Sequence, residues 1–194
     1  MKETCPEITI NAHSSIRIAG SKVLYFDPYM MKETPHDADA VFITHSHFDH
    51  ESPEDIDKVV KPGTVVVKPE TAGEKVIDGI TYETVPAYNL NKKFHPKENG
   101  WVGYRVTMDG KTYYVAGDTD ATPELLSVKA DVALLPAGGT YTMTAEEAAA
   151  AALQMDVPTF IPMHYGSVAG SPSDGETFRT LIGGRKNVVL KLFQ

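Results

Sequence analysis

The sequence predicts a mixed fold of the α/β or α+β class, in which a part rich in β-hairpins is followed by a part that alternates strands and helices. In the first part, short apolar runs alternate with polar residues and are separated by turn residues such as Asp109-Gly110. In the second part, the Thr144–Glu147 and Ser173–Glu176 segments have the pattern of helix-starting capping boxes. No linker, low-complexity segment or repeat is visible, so we expect one domain over residues 1–194.

The predicted strands of the first part end at turn or loop residues. They cover residues 8–18, interrupted at His13-Ser14-Ser15, and then 22–28, 40–43, 64–68, 80–85, 101–108 and 111–116. A short helix is expected from Pro53, because Ser52 is a good N-cap and proline suits the first helical position. A helical turn is expected within residues 70–78. Residues 87–100 form a loop long enough to suggest a function.

The second part begins with a short helix at Thr122-Pro123 and a buried strand at 132–135. Thr144 and Glu147 start an alanine-rich helix that ends near Asp156. The remaining elements are a strand at 159–163, a helix from Ser173 to Gly183-Gly184, and a final strand at 188–193.

Composition excludes several classes of protein. Eighteen Lys plus Arg against 26 Asp plus Glu give a net charge of −8, which argues against a nucleic-acid partner but leaves open a small anionic substrate. Cys5 is the only cysteine, so an intramolecular disulfide and a cysteine-based zinc site are excluded. Neither a secretory signal nor an apolar run of membrane-spanning length is visible, and we expect a cytoplasmic protein without a membrane partner.

The most informative segment is the run from His45 to His50, in which three histidines and an aspartate lie within six residues. It follows a predicted strand and precedes a predicted helix, so it forms a tight loop. Imidazole and carboxylate groups are ligands that zinc and similar metals prefer. The chain has only 7 histidines, and we interpret this concentration as a metal site rather than a chance polar loop. His45 and His47 can converge on one ion, while Asp49 and His50 point to a second.

Two further candidate ligands, Asp118 and His164, each follow a predicted strand. Taken alone, Asp118 is as readily a turn former, and His164 is more readily a core histidine. Because scaffolds of this kind present functional side chains from loops at strand ends, we expect both to be ligands once the histidine loop is present.

The H-x-H-x-D-H pattern resembles the signature of the metallo-β-lactamase superfamily, in which this loop is followed by a third histidine, a bridging aspartate and a last histidine. The residues that match in type, order and strand-end context are His45, His47, Asp49, His50, Asp118 and His164. The resemblance spans nearly the whole chain and implies a four-layer αββα sandwich with metals at one edge. The chain is most similar to small stand-alone hydrolases related to ascorbate-6-phosphate lactonase, which carry a similar His-Ser-Ser near their start. By itself, His13 is more simply a hydrogen-bonded structural residue.

One position departs from the family pattern. The third histidine is expected shortly after the strand at 80–85, where this sequence has Asn89. Either Asn89 replaces it as a weaker oxygen ligand, or His95 reaches in from the same loop, or water or no ligand takes the position. We favour His95, because imidazole nitrogen suits zinc better than an amide.

The resemblance implies a hydrolase with two divalent ions, with zinc expected and Mn or Fe as alternatives, acting on a small ester, lactone or phosphodiester. In this mechanism a hydroxide that bridges the two ions attacks the substrate, and Asp49 orients it. Tyr165 could donate to an oxyanion, with a packing role as the alternative. Lys92, Lys93 and Lys97 are expected to be a solvated loop face, with phosphate binding as the alternative.

Two rival functions remain at this point. The first is a nuclease of the same fold, against which the acidic balance and the short chain both count. The second is a metal-binding sensor or interaction module without hydrolytic activity. Loss of turnover in a folded Asp49 variant would separate the enzyme from the sensor.

Overall fold

Two β-sheets dominate the computed structural model, which describes residues 4–69 and 74–191. The first sheet has the spatial order β1 (Ile8–Ala12), β2 (Ser15–Ala19), β3 (Val23–Phe26), β4 (Ala38–Phe42) and β5 (Val60–Val67). The second sheet contains β6 (Glu74–Ile77), β7 (Ile80–Pro86), β8 (Val102–Met108), β9 (Lys111–Val115), β10 (Val132–Pro136), β11 (Thr159–Met163) and β12 (Asn187–Val188), which lie in the order β12-β11-β10-β9-β8-β7-β6. The helices are α1 (Pro53–Val59), α2 (Pro123–Leu126), α3 (Ala145–Gln154) and α4 (Asp174–Ile182).

The two sheets pack face to face through one apolar core, as the alternating apolar residues predict. In β1, the buried residues Ile8 and Ile10 alternate with half-buried ones. The ring of Phe42 in β4 lies 5.3 Å from Tyr82 of β7 and 5.1 Å from Tyr104 of β8, so aromatic contacts join the two sheets. Helix α1 packs through Val59 on the other face of the first sheet, and α3 and α4 pack on the second sheet. The predicted α/β sandwich is confirmed.

Strand direction determines where the site lies. In the first sheet β1, β3 and β4 run in the same direction, and in the second sheet β7, β9, β10 and β11 do so. The carboxyl ends of strands that share a direction meet at one edge of their sheet. The hydroxyl of Tyr104 donates to the carbonyl of Ile43, and the Val102 N–H donates to the carbonyl of Thr44, so these two edges are joined.

Several local predictions are confirmed. Ser52 accepts from the Asp55 N–H at the start of α1, and Thr144 and Glu147 form both bonds of a capping box at α3. Asp109 and Gly110 take positive φ angles of 53° and 75° in the β8–β9 hairpin.

Other local predictions are wrong. Residues 74–77 form strand β6 instead of a helical turn, because each of them pairs with a residue of β7 between Ile80 and Glu83. Residues 70–73 lie outside the described residues. The predicted strand at 8–18 is two strands that turn at His13-Ser14. Ser173 makes no side-chain cap bond to α4, because its hydroxyl pairs with the Ser171 hydroxyl at 2.9 Å instead.

Two more elements differ in extent. The predicted last strand at 188–193 is reduced to Asn187–Val188, and residues 192–193 of its predicted range lie outside the described residues. The long loop after β7 includes a short 3-10 turn at Lys97–Asn99. Within the described ranges, no helix combines the length and the apolar character that crossing a membrane requires.

Candidate metal centre

Six of the 7 histidines in the chain lie together at the joined edges of the two sheets. Each of these side chains, and each carboxylate among them, follows the carboxyl end of a strand. The positions are His13 after β1, Asp27 after β3, His45–His50 after β4, His95 after β7, Asp118 after β9 and His164 after β11. Side chains far apart in the sequence converge because these strands share their direction.

One group consists of His45, His47 and His95, whose ligand-type nitrogens lie within 4.8 Å of one another. His45 Nε2 is 3.1 Å from His47 Nδ1, and the ring centroids of His45 and His95 are 5.2 Å apart. The structure therefore brings His95, and not Asn89, into one group with His45 and His47.

Asn89, the alternative to His95, is buried beside it and holds it in place. Its Oδ1 accepts a hydrogen bond from the His95 N–H at 3.0 Å and lies 3.2 Å from His95 Nδ1. Its Nδ2 donates to the carbonyl of Tyr141 at 3.0 Å. Nε2 of His95 is left facing Asp118, 3.2 Å from Oδ2. Asn89 thus orients the imidazole.

A second group consists of His13, Asp49, His50 and His164. Asp118 lies between the two groups. Its Oδ2 is 3.2 Å from His95 Nε2 and 3.1 Å from His164 Nε2, and its Oδ1 is 3.4 Å from His50 Nε2. A carboxylate in this position can bind two ions at once.

Sequence reasoning did not place His13 in the site. Its Nε2 lies 3.3 Å from Asp49 Oδ2, its ring centroid is 3.8 Å from that of His164, and its Nδ1 is 3.2 Å from the hydroxyl of Ser167. The signal in the sequence was the His-Ser-Ser that interrupts a strand pattern, which indicates a turn at the end of a strand.

Asp27 was also missed, because Asp27-Pro28 is an ordinary strand-ending pair. It is fully buried and lies behind His50, with Oδ2 2.7 Å from His50 Nδ1. It also accepts hydrogen bonds from the N–H and the hydroxyl of Thr44, at 2.8 and 2.6 Å. A carboxylate behind a histidine in this way fixes the ring and leaves Nε2 available as a ligand.

The residues fit a divalent metal. Several buried polar atoms of the two groups have no hydrogen-bond partner in the protein, which is costly in a folded chain. These atoms are Nε2 of His13, His50 and His95, Nδ1 of His164 and Oδ1 of Asp118. Imidazole and carboxylate together suit zinc and its neighbours in the transition series.

Charges within the cluster determine the protonation of the metal-free site. Burial opposes a charge on His50, but Asp118, Asp27 and Asp49 outweigh it and raise its pKa to about 9. Burial likewise opposes a charge on Asp118, but His164 and His50 hold its pKa well below the usual value. Burial and the neighbouring His50 hold the pKa of His45 well below the usual value. His45 is therefore neutral, which is the form that binds metal.

Three residues of the site have left-handed backbone angles. The φ angles of His13, Asp27 and His164 are 50°, 45° and 55°. Such angles are uncommon for residues other than glycine and are found at sites where the chain must turn sharply. Here each of them turns the chain directly after a strand, which directs the side chain into the cluster.

Tyr165, for which oxyanion binding and packing were the two alternatives, and Lys92 and Lys97, for which phosphate binding was the alternative to a solvated face, are directed away from the cluster or paired. The Tyr165 hydroxyl faces the start of α4, where a Cβ on Gly175 would lie 2.4 Å from it, and burial together with Glu176 raises its pKa. Lys92 pairs with Asp120 at 2.8 Å, and Lys97 pairs with Glu124 at 3.1 Å.

A cavity of about 220 Å³ opens onto the cluster. Its lining consists of His47, Phe48, Asp49, Phe94, His95, Asp118, Tyr141, His164 and Val168. A larger cleft of about 370 Å³, lined by Arg17 and Asp37 among others, contains none of the clustered histidines. The smaller cavity is therefore the candidate active site.

Comparison with known proteins agrees with this geometry. The sequence model of a family described as "Beta-lactamase superfamily domain" matches residues 7–164. The chain is 31% identical to a metal-dependent hydrolase of Methanoculleus marisnigri, over 90% of this chain and 88% of that protein. It is also 31% identical to a metal-dependent hydrolase of Pyrococcus abyssi, over 92% of each.

Solved structures give the same result. A crystal structure described as a metal-dependent hydrolase from Parabacteroides distasonis superposes with a TM-score of 0.82, at 28% identity, over 96% of this chain and 93% of that one. A metallo hydrolase from Ignicoccus hospitalis superposes with a TM-score of 0.73, at 25% identity, over 95% and 94%.

Proposed function

The chain belongs to the metallo-β-lactamase superfamily and is a metal-dependent hydrolase, and we propose that it uses two divalent ions to hydrolyse a small ester or lactone. The observation that carries this proposal is the position of Asp118. Its two carboxylate oxygens face histidines of both groups, at 3.1 to 3.4 Å. A single ion would be bound by only one of these groups, and the side chains of the other group would have no metal to bind.

The residues divide naturally between the two ions. His45, His47 and His95 would hold the first, and Asp49, His50 and His164 the second, with Asp118 shared. His13 lies against the second group and is available as a further ligand. The donors of the first group are all nitrogens, which favours zinc, while Mn and Fe remain compatible with the oxygen-richer second group.

When bound, two such ions supply Lewis acidity and an activated water. The protein's own residues provide order and position. Asn89 and Asp27 fix the rings of His95 and His50, so that Nε2 of each faces Asp118. Burial opposes ionisation of Asp49, but His13 and His50 outweigh it and lower its pKa. Asp49 therefore stays ionised at the cavity wall, where it can accept a hydrogen bond from the attacking water and orient it.

Metal analysis together with turnover tests the proposal. Protein purified without chelator and reconstituted with Zn or Mn should hold about two ions per chain and hydrolyse simple esters or lactones. The Asp118→Ala variant should lose both ions and all activity, whereas Asp156→Ala, which removes an exposed carboxylate, should lose neither. A maximum of one ion after reconstitution, or full metal content in Asp118→Ala, would contradict the binuclear arrangement.

We also propose that residues 1–194 form one domain. Buried side chains of both sheets belong to one apolar cluster, to which Phe42 of β4 and Tyr104 of β8 both contribute. The residues of the metal centre come from both sheets, so neither sheet would hold a complete site alone. Limited proteolysis should therefore release no stable fragment that retains metal.

A further inference from the structure

The mouth of the cavity above the metal centre is apolar. The residues beside the metal cluster that line it are Phe48, Phe94, Tyr141 and Val168. Their exposed fractions are 69%, 40%, 37% and 40%. They account for four of the ten large hydrophobic residues that are exposed among the described residues, so exposed apolar surface is concentrated at this one place. Such concentration marks a binding surface.

The aromatic side chains are held in defined positions. The rings of Phe94 and Tyr141 meet edge to face, with centroids 4.9 Å apart, and the backbone carbonyl of Tyr141 is held by Asn89. Phe48 lies between His47 and Asp49 and meets Tyr29 edge to face at 6.0 Å. Phe48, Phe94 and Val168 therefore lie on loops that carry the metal cluster, and Tyr141 lies on the loop after β10, which Asn89 contacts.

Cationic side chains are missing from this wall. Neither lysine nor arginine occurs among the residues that line the cavity. Lys92 is neutralised by Asp120 at 2.8 Å, with Glu147 at 3.8 Å, and Lys97 is neutralised by Glu124. If the non-reacting part of the substrate carried a phosphate, that phosphate would have no cationic side chain to pair with at this wall. Its desolvation would therefore cost free energy.

We propose that the substrate is an uncharged ester or lactone with an apolar group, a single aromatic ring or a short alkyl chain, that packs between Phe48, Phe94, Tyr141 and Val168. This inference rests on the proposed function. The volume of about 220 Å³ corresponds to roughly seven water molecules at ~30 Å³ each, which is enough for one ring together with the reacting carbonyl. In the reaction, the oxygen of water joins the carbonyl carbon and the bond from that carbon to the alkoxy oxygen breaks. The products are a carboxylate, an alcohol and one released proton.

Binding of product analogues to the metal-loaded protein tests the proposal independently of turnover. Isothermal titration should show phenylacetate binding at least tenfold more tightly than acetate. The carboxylate is common to phenylacetate and acetate, so the difference between them reports the apolar wall. Equal binding of the two acids would overturn the proposal.

Replacements in the apolar wall test whether these residues cause the difference in affinity between phenylacetate and acetate. Phe94→Ala and Tyr141→Ala should each weaken phenylacetate binding about tenfold and leave acetate binding unchanged, and should raise KM for a phenyl ester more than they lower kcat. Leu181→Ala, which removes a comparably exposed side chain from α4, is the matched control and should change nothing. Phe94 is adjacent to His95, so its replacement can also disturb the metal centre. Val168→Ala is therefore included as a third variant of the apolar wall. Unchanged phenylacetate affinity in all three wall variants would overturn the proposal.

Failure here and failure of the proposed function are distinguishable. A protein that holds two ions and hydrolyses esters but does not distinguish phenylacetate from acetate would contradict only the inference about the substrate. A protein that holds at most one ion would contradict the proposed function, whatever acid it binds.

Discussion

At the scale of single residues, the pairing of His95 with Asn89 explains how the chain departs from the family pattern and still places an imidazole beside His45 and His47. The position of the third histidine is taken by Asn89, and the loop returns six residues later with an imidazole. The backbone of each residue is bonded to the other, since Asn89 N–H donates to the His95 carbonyl at 2.8 Å and Asn89 Oδ1 accepts from the His95 N–H. Asn89 and His95 therefore form one unit.

This unit leads to a prediction for the first ion. His95→Ala should lose the ion held by His45 and His47, whereas Asn89→Ala should weaken it only about 10–100-fold, because Asn89 acts on the ring without binding the metal. Trp101, the only tryptophan, lies 4.7 Å from His47 and 4.9 Å from His45 between ring centroids, so its fluorescence should report this ion. Chelator competition ranks the variants, and equal or greater loss in Asn89→Ala would assign the metal to the asparagine.

Asp27 carries a second prediction at this scale. Asp27→Asn removes the charge behind His50 and weakens its hold on the ring, so affinity for the second ion should fall about 10–100-fold. The fluorescence response of Trp101 to the first ion should be retained. Elemental analysis after dialysis measures the loss. Two tightly held ions in Asp27→Asn would show that His50 needs no such support.

At the scale of elements, two loops that follow parallel strands touch each other closely. Gly138 follows β10, and a Cβ added there would lie 2.1 Å from the carbonyl oxygen of His164 after β11. Only glycine lets these backbones approach to this distance. The position of His164 therefore depends on the packing of a neighbouring loop.

Gly138→Ala should accordingly displace His164 and weaken the second ion, and should cost about 1–3 kcal/mol of stability through overpacking. Gly139→Ala is the matched control. Its added Cβ would meet only Thr144, at 3.5 Å, so it should retain the metal although its φ of +67° carries strain. Metal titration and thermal unfolding measure the two effects. Unchanged metal affinity in Gly138→Ala would show that the position of His164 does not depend on this contact.

Helix α1 is joined to the loop before it by Asp55. Oδ2 of Asp55 accepts from the Met30 N–H at 2.9 Å, and Oδ1 accepts from the Met31 N–H and from Lys58 at 3.0 Å each. Burial opposes ionisation, but Lys58, the Ser52 hydroxyl and these N–H groups outweigh it and lower the pKa of Asp55 below its ordinary 3.8. A carboxyl whose folded pKa is lowered stabilises the fold above its unfolded pKa, and loses this effect as pH falls through the folded pKa.

Asp55→Asn should therefore destabilise the protein by about 2 kcal/mol at neutral pH, the scale of hydrogen bonds to a charged group. The difference from the parent should be constant down to about pH 4 and should shrink at lower pH. Urea unfolding at a series of pH values measures it. A difference that does not change between pH 7 and pH 3 would mean that the charge of Asp55 contributes nothing.

At the scale of the whole molecule, the metal centre joins the two sheets. His13, Asp27 and the His45–His50 loop come from the first sheet, and His95, Asp118 and His164 come from the second. Ions held by residues of both sheets should therefore stabilise the folded chain as a unit.

Removal of metal should lower the stability accordingly. Free metal at 100 to 1,000 times its Kd contributes about 2.7 to 4.1 kcal/mol, so treatment with a chelator should lower Tm by roughly 5–15 °C at this chain length. Differential scanning fluorimetry, with and without added Zn, measures the shift. A Tm that is independent of metal would contradict ions shared by the two sheets.

Local sequence patterns predict most of the elements and most of the candidate ligands. Hairpin turns, N-caps and alternating apolar residues are local features that depend on near neighbours, and they predicted β8–β9, α1 and α3 correctly. The His45–His50 loop was equally visible, because its ligand types lie within six residues of one another.

Which distant residues join that loop depends on the tertiary fold. Whether His95 or Asn89 faces His45, and whether His13 and Asp27 belong to the cluster at all, depends on strand direction and on a return of the 87–100 loop that no local pattern specifies. The apolar wall of Phe48, Phe94, Tyr141 and Val168 was hidden for the same reason, since these residues are far apart in the sequence. Their proximity results from strand direction, since β4 of the first sheet and β7, β10 and β11 of the second have their carboxyl ends at the joined edges of the two sheets.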